Sequence, residues 1–463
     1  NAFTPDSSLE VNDFIWKSMN LWYFWQAQVP DLADSRFTSN QQYSDYLESF
    51  SDPVDLYVNG LLFVEDEFSF ITDDYPALVN SQQGIFKTNG LEFTLVFAPE
   101  GQPKVVGVVR YINANTDAAS KDISRGEVFY AVNGQELFFN SSTDNNLNLF
   151  NEDTYTLSFA DVINFETVPN GKEISLTKAQ VTENPILISK TLDVDGTKVG
   201  YLMYNQFVAA FDAQLNAAFA QFIADGVTEL VLDLRYNPGG SVNSSVQLAS
   251  MITGQFNGQL FIRQRWNNKI QSQLSDSFLN DNFTNQLSSG GSLNSLNLNR
   301  VFILALEGTA SASELVINGL NPYINVVHIG TNTTGKNEFS ITLVDDPGNS
   351  FVYDPDRTNE VNPNHIWGIQ PLVGRNENSA GFSDYKDGLV PDIFFEESLV
   401  NLGVLGEETE PMLARALFEI STSNKYANAA KPAEMPVKYV SGSNMFTPTK
   451  DNMYLDKPIK LNQ

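Results

Sequence analysis

The sequence contains no cysteine, only two histidines and no uninterrupted apolar run of the roughly 18 residues that a membrane-spanning helix needs. Without cysteine, disulfide staples, thiolate catalysis and Cys-ligated zinc are excluded. With only His328 and His365 present, any Ser-His-Asp mechanism must use one of them as base. Positive charge is scarce too. The 27 Lys and Arg stand against 56 Asp and Glu, a formal net charge of −29 that repels nucleic acid and anionic membrane surfaces. The acidity is read as a solubility feature rather than as a metal or acidic-substrate signal. Asn1 is not a start methionine, so a leader removed ahead of it is expected.

What is present is material for several cores. At 463 residues the chain exceeds what one hydrophobic core holds, and 42% hydrophobic residues with 33 Phe predict a globular protein of two or three domains. Residues 1–83 read as a helical N-terminal region, in which Trp16, Trp22 and Trp25 are interhelix core rather than a partner surface. Residues 84–160 carry short alternating strands, Leu91–Phe97 and Val105–Tyr111 among them. Within them Val109–Ala119 and Ile123–Gly134 resemble the core signature of a PDZ domain, which implies a module that captures an extended chain end at a sheet edge.

From residue 161 to 400 strands and helices alternate. The strands Gly200–Tyr204, Leu230–Leu234, Val301–Leu306 and Ile324–Ile329 are separated by helical runs at Phe207–Ala224, Ser244–Ile252 and Ser311–Leu320, a βαβ pattern. Residues 254–299, rich in Gln, Asn, Ser and Gly, predict a surface insertion near the site, with a disordered linker as the second reading. Residues 401–463 hold one more helical run, Glu410–Ile420, and a tail of Pro- and Lys-containing coil.

His328 lies in the apolar alternation of a strand and reads as a core residue; His365 lies in a turn-like Asn362–Trp367 segment. The usual base is poorly supplied, and a serine hydrolase can use instead a lysine whose amine burial keeps neutral. Ser311 follows a strand and opens a helix, where backbone N–H groups favour a developing oxyanion. Ser311-Ala-Ser-Glu314 also fits a capping box, in which the two side chains merely satisfy orphan amides. Lys336 lies beyond the next strand, in Thr333-Thr-Gly-Lys336, so that a strand-helix-strand return carries it back beside Ser311.

Separated motifs then resemble, in order, those of the carboxyl-terminal processing peptidases, the tail-specific protease family. They are Leu232-Asp-Leu-Arg-Tyr-Asn-Pro-Gly-Gly240, Gly308-Thr-Ala-Ser-Ala-Ser-Glu314, Thr333-Thr-Gly-Lys336 and Gly388-Leu-Val-Pro-Asp-Ile393, and the resemblance covers roughly residues 84–420. It implies an α/β multidomain protein with a helical N-terminal region, a PDZ-like β-rich domain and an α/β (crotonase-like) peptidase core. It implies Ser311 as nucleophile, Lys336 as general base, and an oxyanion hole drawn from the amides of Gly239, Gly240 and Ala312. Glu314 and Thr333 are read as supporting residues. No cofactor or metal is expected. The implied substrate is a protein or peptide engaged through an unstructured C-terminal end, with no nucleic acid as partner. The implied setting is extracytoplasmic, in the bacterial periplasm or on a lipid-anchored surface with the anchor ahead of Asn1, and a homo-oligomer is compatible with it. Two departures stand out: Ser340 where the family commonly has glutamine, and Pro322 where it often has aspartate. The alternatives are a non-catalytic ligand- or peptide-binding protein on the same fold and an esterase-like hydrolase.

Overall fold

The computed structural model describes residues 3–431, 435–436, 438–449, 453–459 and 461. The N-terminal region is helical, with α1 (Glu10–Trp22) and α2 (Asn40–Glu48), the latter N-capped by Ser39, whose side chain accepts from the Gln42 amide. Trp16 and Trp22 of α1 and Trp25 just beyond it are all buried, Trp16 against Phe37 and Tyr43 of the same region and Trp22 against Trp266 farther along the chain. The region is fastened to the rest of the chain by polar bonds as well as packing. The Trp22 indole N–H donates to Ser350 O at 2.7 Å and the Phe24 amide to Leu372 O at 2.9 Å.

A β-rich unit follows, with strands β1 (Leu91–Phe97), β2 (Val105–Ile112), β3 (Val128–Val132), β4 (Thr154–Ile163) and β5 (Glu166–Thr177) in the antiparallel order β5-β4-β3-β2-β1. Alternation puts Leu91, Phe93 and Leu95 on one face, against Phe129, Phe150 and Phe159. The sheet runs past residue 160, where composition alone suggested its end, because β5 pairs along the length of β4.

The α/β core is built on β6 (Ile186–Val194), β7 (Thr197–Tyr204), β8 (Glu229–Asp233), β11 (Arg300–Ala305), β12 (Asn325–Gly330) and β15 (Ile393–Phe394), neighbours in that order. The first pair is antiparallel and the rest are parallel. Helix α3 (Asp212–Asp225) makes the crossover from β7 to β8 and ends at Gly226, whose left-handed φ of 74° closes the helix. The central strands are apolar almost throughout, as strands covered on both faces must be.

A third sheet stands beside the core. Its strands are β9 (Gly240–Ser241), which runs into α4 (Val242–Thr253), then β10 (Leu260–Trp266), β13 (Glu338–Ser340), β14 (Leu372–Asn378) and β17 (Met453–Tyr454), in the order β9-β17-β13-β14-β10. Strand β10 lies inside the segment expected to be a surface insertion. Phe261, Ile262 and Trp266 are core residues there, and β10 pairs antiparallel with β14. The polar composition of 254–299 belongs to the flanks of this strand. Helices α5 (Ala312–Leu320) and α6 (Pro411–Ile420) complete the core, and β16 (Tyr439–Gly442) pairs antiparallel with β1 at the edge of the β-rich sheet.

Arg235 is fully buried and bonds to Asp233 at 2.8 Å, Glu410 at 2.7 Å and Glu397 at 3.2 Å. Glu397 also meets Arg125 of the β-rich unit at 3.1 Å. This charged junction holds the two units together, and removing one partner of such a network leaves a buried charge at about 3–5 kcal/mol.

Candidate active site

Strands β8, β11 and β12 are parallel neighbours whose carboxyl ends align, Asp233 beside Leu304 and Ala305 beside Gly330. The segments that leave those ends are the three stretches singled out above, ending at Gly240, Ser311 and Lys336. Adjacent parallel strands thus deliver them to one edge, the place where open α/β sheets hold their ligands.

Ser311 stands between β11 and α5 with φ 67° and ψ −116°. Such a backbone strains a non-glycine residue by about 1–3 kcal/mol and persists only where its surroundings hold it. Here they do. Thr309 donates its hydroxyl to Leu234 O at 2.9 Å, while the Ala310 amide and the Ser313 hydroxyl both donate to Asn237 O, at 3.2 and 3.1 Å. Ser311 and Glu314 take up the capping-box arrangement, with the Ser311 N–H donating to Glu314 Oε2 at 2.7 Å. Ser311 Oγ itself makes no hydrogen bond of normal geometry and is fully buried. The serine half of the capping box is therefore a loose contact, while the glutamate half is a short hydrogen bond.

The Pro-Gly-Gly turn lies against it. A Cβ on Gly239 would stand 2.6 Å from Ser311 Cβ and 3.0 Å from both Ser311 Oγ and the Ala312 nitrogen; one on Gly240 would meet Phe207 O at 2.1 Å. With φ of 112° and 134°, neither position admits a side chain. The Gly239 amide donates to Asn237 Oδ1 at 2.9 Å, and Asn237 Nδ2 donates to Tyr204 O at 2.8 Å. Asn237 thus ties the glycine turn to the nucleophile turn.

Glu314, fully buried, joins the Ser311 and Lys336 segments. Its Oε2 accepts from the amides of both Ser311 and Lys336, the latter at 2.9 Å; its Oε1 accepts from the Gly335 amide at 2.6 Å and from the Thr333 hydroxyl. The amides of Ser311 and Lys336 are therefore no further apart than two hydrogen bonds laid end to end. Burial pushes the Glu314 carboxyl up to about 7, against the pull of these donors. Thr333 is held in turn by Leu389, whose amide donates to its hydroxyl at 2.8 Å, so the Gly388–Ile393 stretch clamps the Lys336 segment.

Lys336 is 1% exposed, and its Nζ lies 4.8 Å from the centroid of the Phe68 ring, contributed by the N-terminal region. Ser340 donates its hydroxyl to Met453 O at 3.0 Å and accepts from Gln370 Nε2 at 3.1 Å. A glutamine does therefore stand beside this position, brought by another strand. Asn237 lay inside a quoted motif and was legible in principle; Phe68 and Gln370 carry no local signal. No group of three or more His, Cys, Asp or Glu suited to a metal ion occurs among the described residues.

His328 is buried in β12, where desolvation lowers its pKa and keeps it neutral. His365 Nε2 lies 3.2 Å from Asp345 Oδ2. Neither bonds Ser311. We expect His365→Gln, and His328→Gln if its thermal melt stays cooperative, to keep kcat within about 3-fold of the parent in a peptidase assay, since neither ring moves the proton. Complete loss in a folded His365→Gln chain would restore a histidine mechanism.

Residues 198–370 match the family described as "Peptidase family S41", and residues 10–70 match "Peptidase S41 N-terminal domain". The chain is 23% identical over 246 residues to a carboxyl-terminal-processing protease of Picosynechococcus, covering 53% of this chain and 50% of that one. The chain thus spans about half the length of the curated relatives it matches. In fold it is similar to a Bacteroides fragilis protein assigned to the S41 proteases, with a TM-score of 0.63 and 23% identity over 91% of this chain and 98% of that one. It is also similar to a photosystem II D1 C-terminal processing protease, with a TM-score of 0.51 and 19% identity over 88% and 99%.

Proposed function

The chain belongs to peptidase family S41, and from that premise we propose that it is a serine endopeptidase acting through Ser311 and Lys336 on protein or peptide substrates. The observation that carries the reading is the Glu314 carboxylate, which fixes the amides of Ser311 and Lys336 on one oxygen while leaving the serine hydroxyl uncommitted. In the reaction, Ser311 Oγ attacks the scissile carbonyl carbon and its proton passes to Lys336 Nζ. The oxyanion forms between the Gly239–Gly240 turn and the Ala312 amide at the head of α5. Collapse breaks the C–N bond, and Lys336 returns the proton to the leaving amine. Water, giving its proton to Lys336, then releases the acyl group and restores Ser311. The Ser311 to Lys336 hydrogen bond forms as substrate enters, as catalytic bonds commonly tighten in the complex.

Substrates are engaged through unstructured C-terminal ends, with the β-rich unit as a PDZ-like docking module, in an extracytoplasmic setting. The test is digestion of a protein with a free unstructured tail, the same protein with its C-terminus amidated, and a short peptide ester, with products read by mass spectrometry. Cleavage of peptide bonds, faster for the free tail, is expected. Turnover of the ester alone would make the protein an esterase, and turnover of none a binding protein. Since only the neutral amine of Lys336 can take the serine proton, kcat/KM should climb toward alkaline pH. A profile levelling after one group near pH 6.5 would count against the lysine.

A further inference from the structure

After α6 the chain returns across the molecule. The amide of Phe97 donates to Lys438 O at 2.9 Å, β16 lies along β1 with Tyr439 opposite Val96 and Gly442 opposite Thr94, and Ser443 Oγ accepts from the Phe93 amide at 3.1 Å. The Phe446 ring then packs 5.1 Å from that of Phe150, inside the β-rich unit. Further on, β17 pairs with β9, Met453 opposite Gly240 and Tyr454 opposite Ser241, and also with β13 at Ser340. The Leu455 amide donates to Ser340 O at 3.0 Å, and Asp456 accepts from the Ser241 hydroxyl at 2.7 Å. Gly240 follows the residue that lies against Ser311, and Ser340 ends the strand that begins two residues after Lys336.

We propose that the C-terminal stretches 438–449 and 453–459 are a resident competitor of substrate, the first filling the edge of β1 and the second the strand position between the Pro-Gly-Gly turn and β13, so that cleavage requires their displacement. The inference rests on the peptidase reading. A sheet edge offers unpaired amides and carbonyls to any extended chain, and here β16 already takes those of β1. Ser311 and Lys336 are 0% and 1% exposed, so no substrate carbonyl reaches them until something covering them moves. The order of contacts argues that the segment blocks rather than feeds the site. A substrate held on β1 by its carboxyl end reaches the site with residues preceding that end, whereas this segment reaches it with residues that follow its docked strand. Two short anchors on one chain each raise the local concentration of the other, so weak pairing at both holds the segment down, and a long substrate that takes the first edge loosens the second.

The test uses the full chain. Leu455→Pro removes the amide that donates to Ser340, and Ser443→Ala removes the hydroxyl that holds the Phe93 amide; the second variant serves should the first lose its cooperative melt. Losing one of two linked anchors should raise kcat/KM for an internally quenched octapeptide about 10-fold. A synthetic peptide of residues 438–459 added in trans should reverse the gain by raising KM with kcat unchanged. In the Ser311→Ala chain, where nothing is cleaved, reduced casein should speed amide exchange within 438–459. Folded variants no faster than the parent, or casein that is cleaved by the parent yet leaves exchange in 438–459 unchanged, would overturn the inference and make the segment a permanent part of the sheet. Casein that speeds exchange while the parent chain, with Ser311 intact, cleaves neither casein nor peptide would instead remove the peptidase reading and leave the segment as the occupant of a binding site.

Discussion

Ser311→Ala leaves a folded chain whose kcat/KM on a tailed protein falls by about 10⁴-fold or more, the scale of loss when a serine hydrolase loses its nucleophile. The change removes one oxygen that bonds nothing in the resting structure, so the thermal midpoint should hold or rise slightly. Lys336→Met should be as inactive, since it keeps the buried aliphatic stem beside Phe68 and removes the amine proposed to take the proton. The double variant should be no worse than either alone, because the two act as one unit. Peptide cleavage retained in a folded Ser311→Ala chain would refute the assignment outright.

Glu314→Ala strands four donors in a site without water access, the amides of Ser311, Gly335 and Lys336 and the Thr333 hydroxyl. At about 1–3 kcal/mol for each unsatisfied group, partly relieved by rearrangement, a fall in stability of about 3–6 kcal/mol is expected, with activity down at least 10²-fold. Glu314→Gln keeps the shape but turns one acceptor into a donor, so it should melt closer to the parent and still lose most of its rate. pH separates the two effects. Burial raises this carboxyl from its ordinary 4.5 to about 7, so between those values the folded chain holds a proton that the unfolded chain has released. Glu314 therefore contributes less to stability as pH climbs from about 4.5 to about 7, and its contribution is flat above. Activity moves the other way through the same window, as the carboxylate that accepts the Ser311 and Lys336 amides forms. Glu314→Gln should flatten both limbs in chemical denaturation and rate profiles; a variant that keeps them would mean another group titrates there.

The closeness of Ser311, the Pro-Gly-Gly turn and Lys336 was legible because they sit in short motifs at the ends of strands, where strand-turn-helix order predicts position. Glu314 was legible as a cap and, through the resemblance, as a supporting residue, but its bonds to Gly335 and Lys336 depend on β12 returning beside β11, a pairing that local pattern implies but does not measure. The stretch 254–299 was misread because polar residues dominate it, although Phe261, Ile262 and Trp266 are core residues of a strand. The tail was illegible for a different reason. β16 and β17 are four and two residues long and complete sheets whose other strands lie far earlier in the chain, and no periodicity survives in so short a run.

The attachment of the N-terminal helices also sets a clock for the newborn chain. The indole of Trp22 finds its acceptor 328 positions later, at Ser350. At about 5–20 residues added per second, α1 emerges roughly 15–65 s before the carbonyl it needs exists. Through that interval Trp16, Trp22 and their aromatic neighbours have only one another to pack against, so the nascent chain is at its most adhesive while its first helix waits. A ribosome-bound holdase, or passage to another compartment before folding, is what such an arrangement calls for, and a chain translated without either should aggregate from its amino end first.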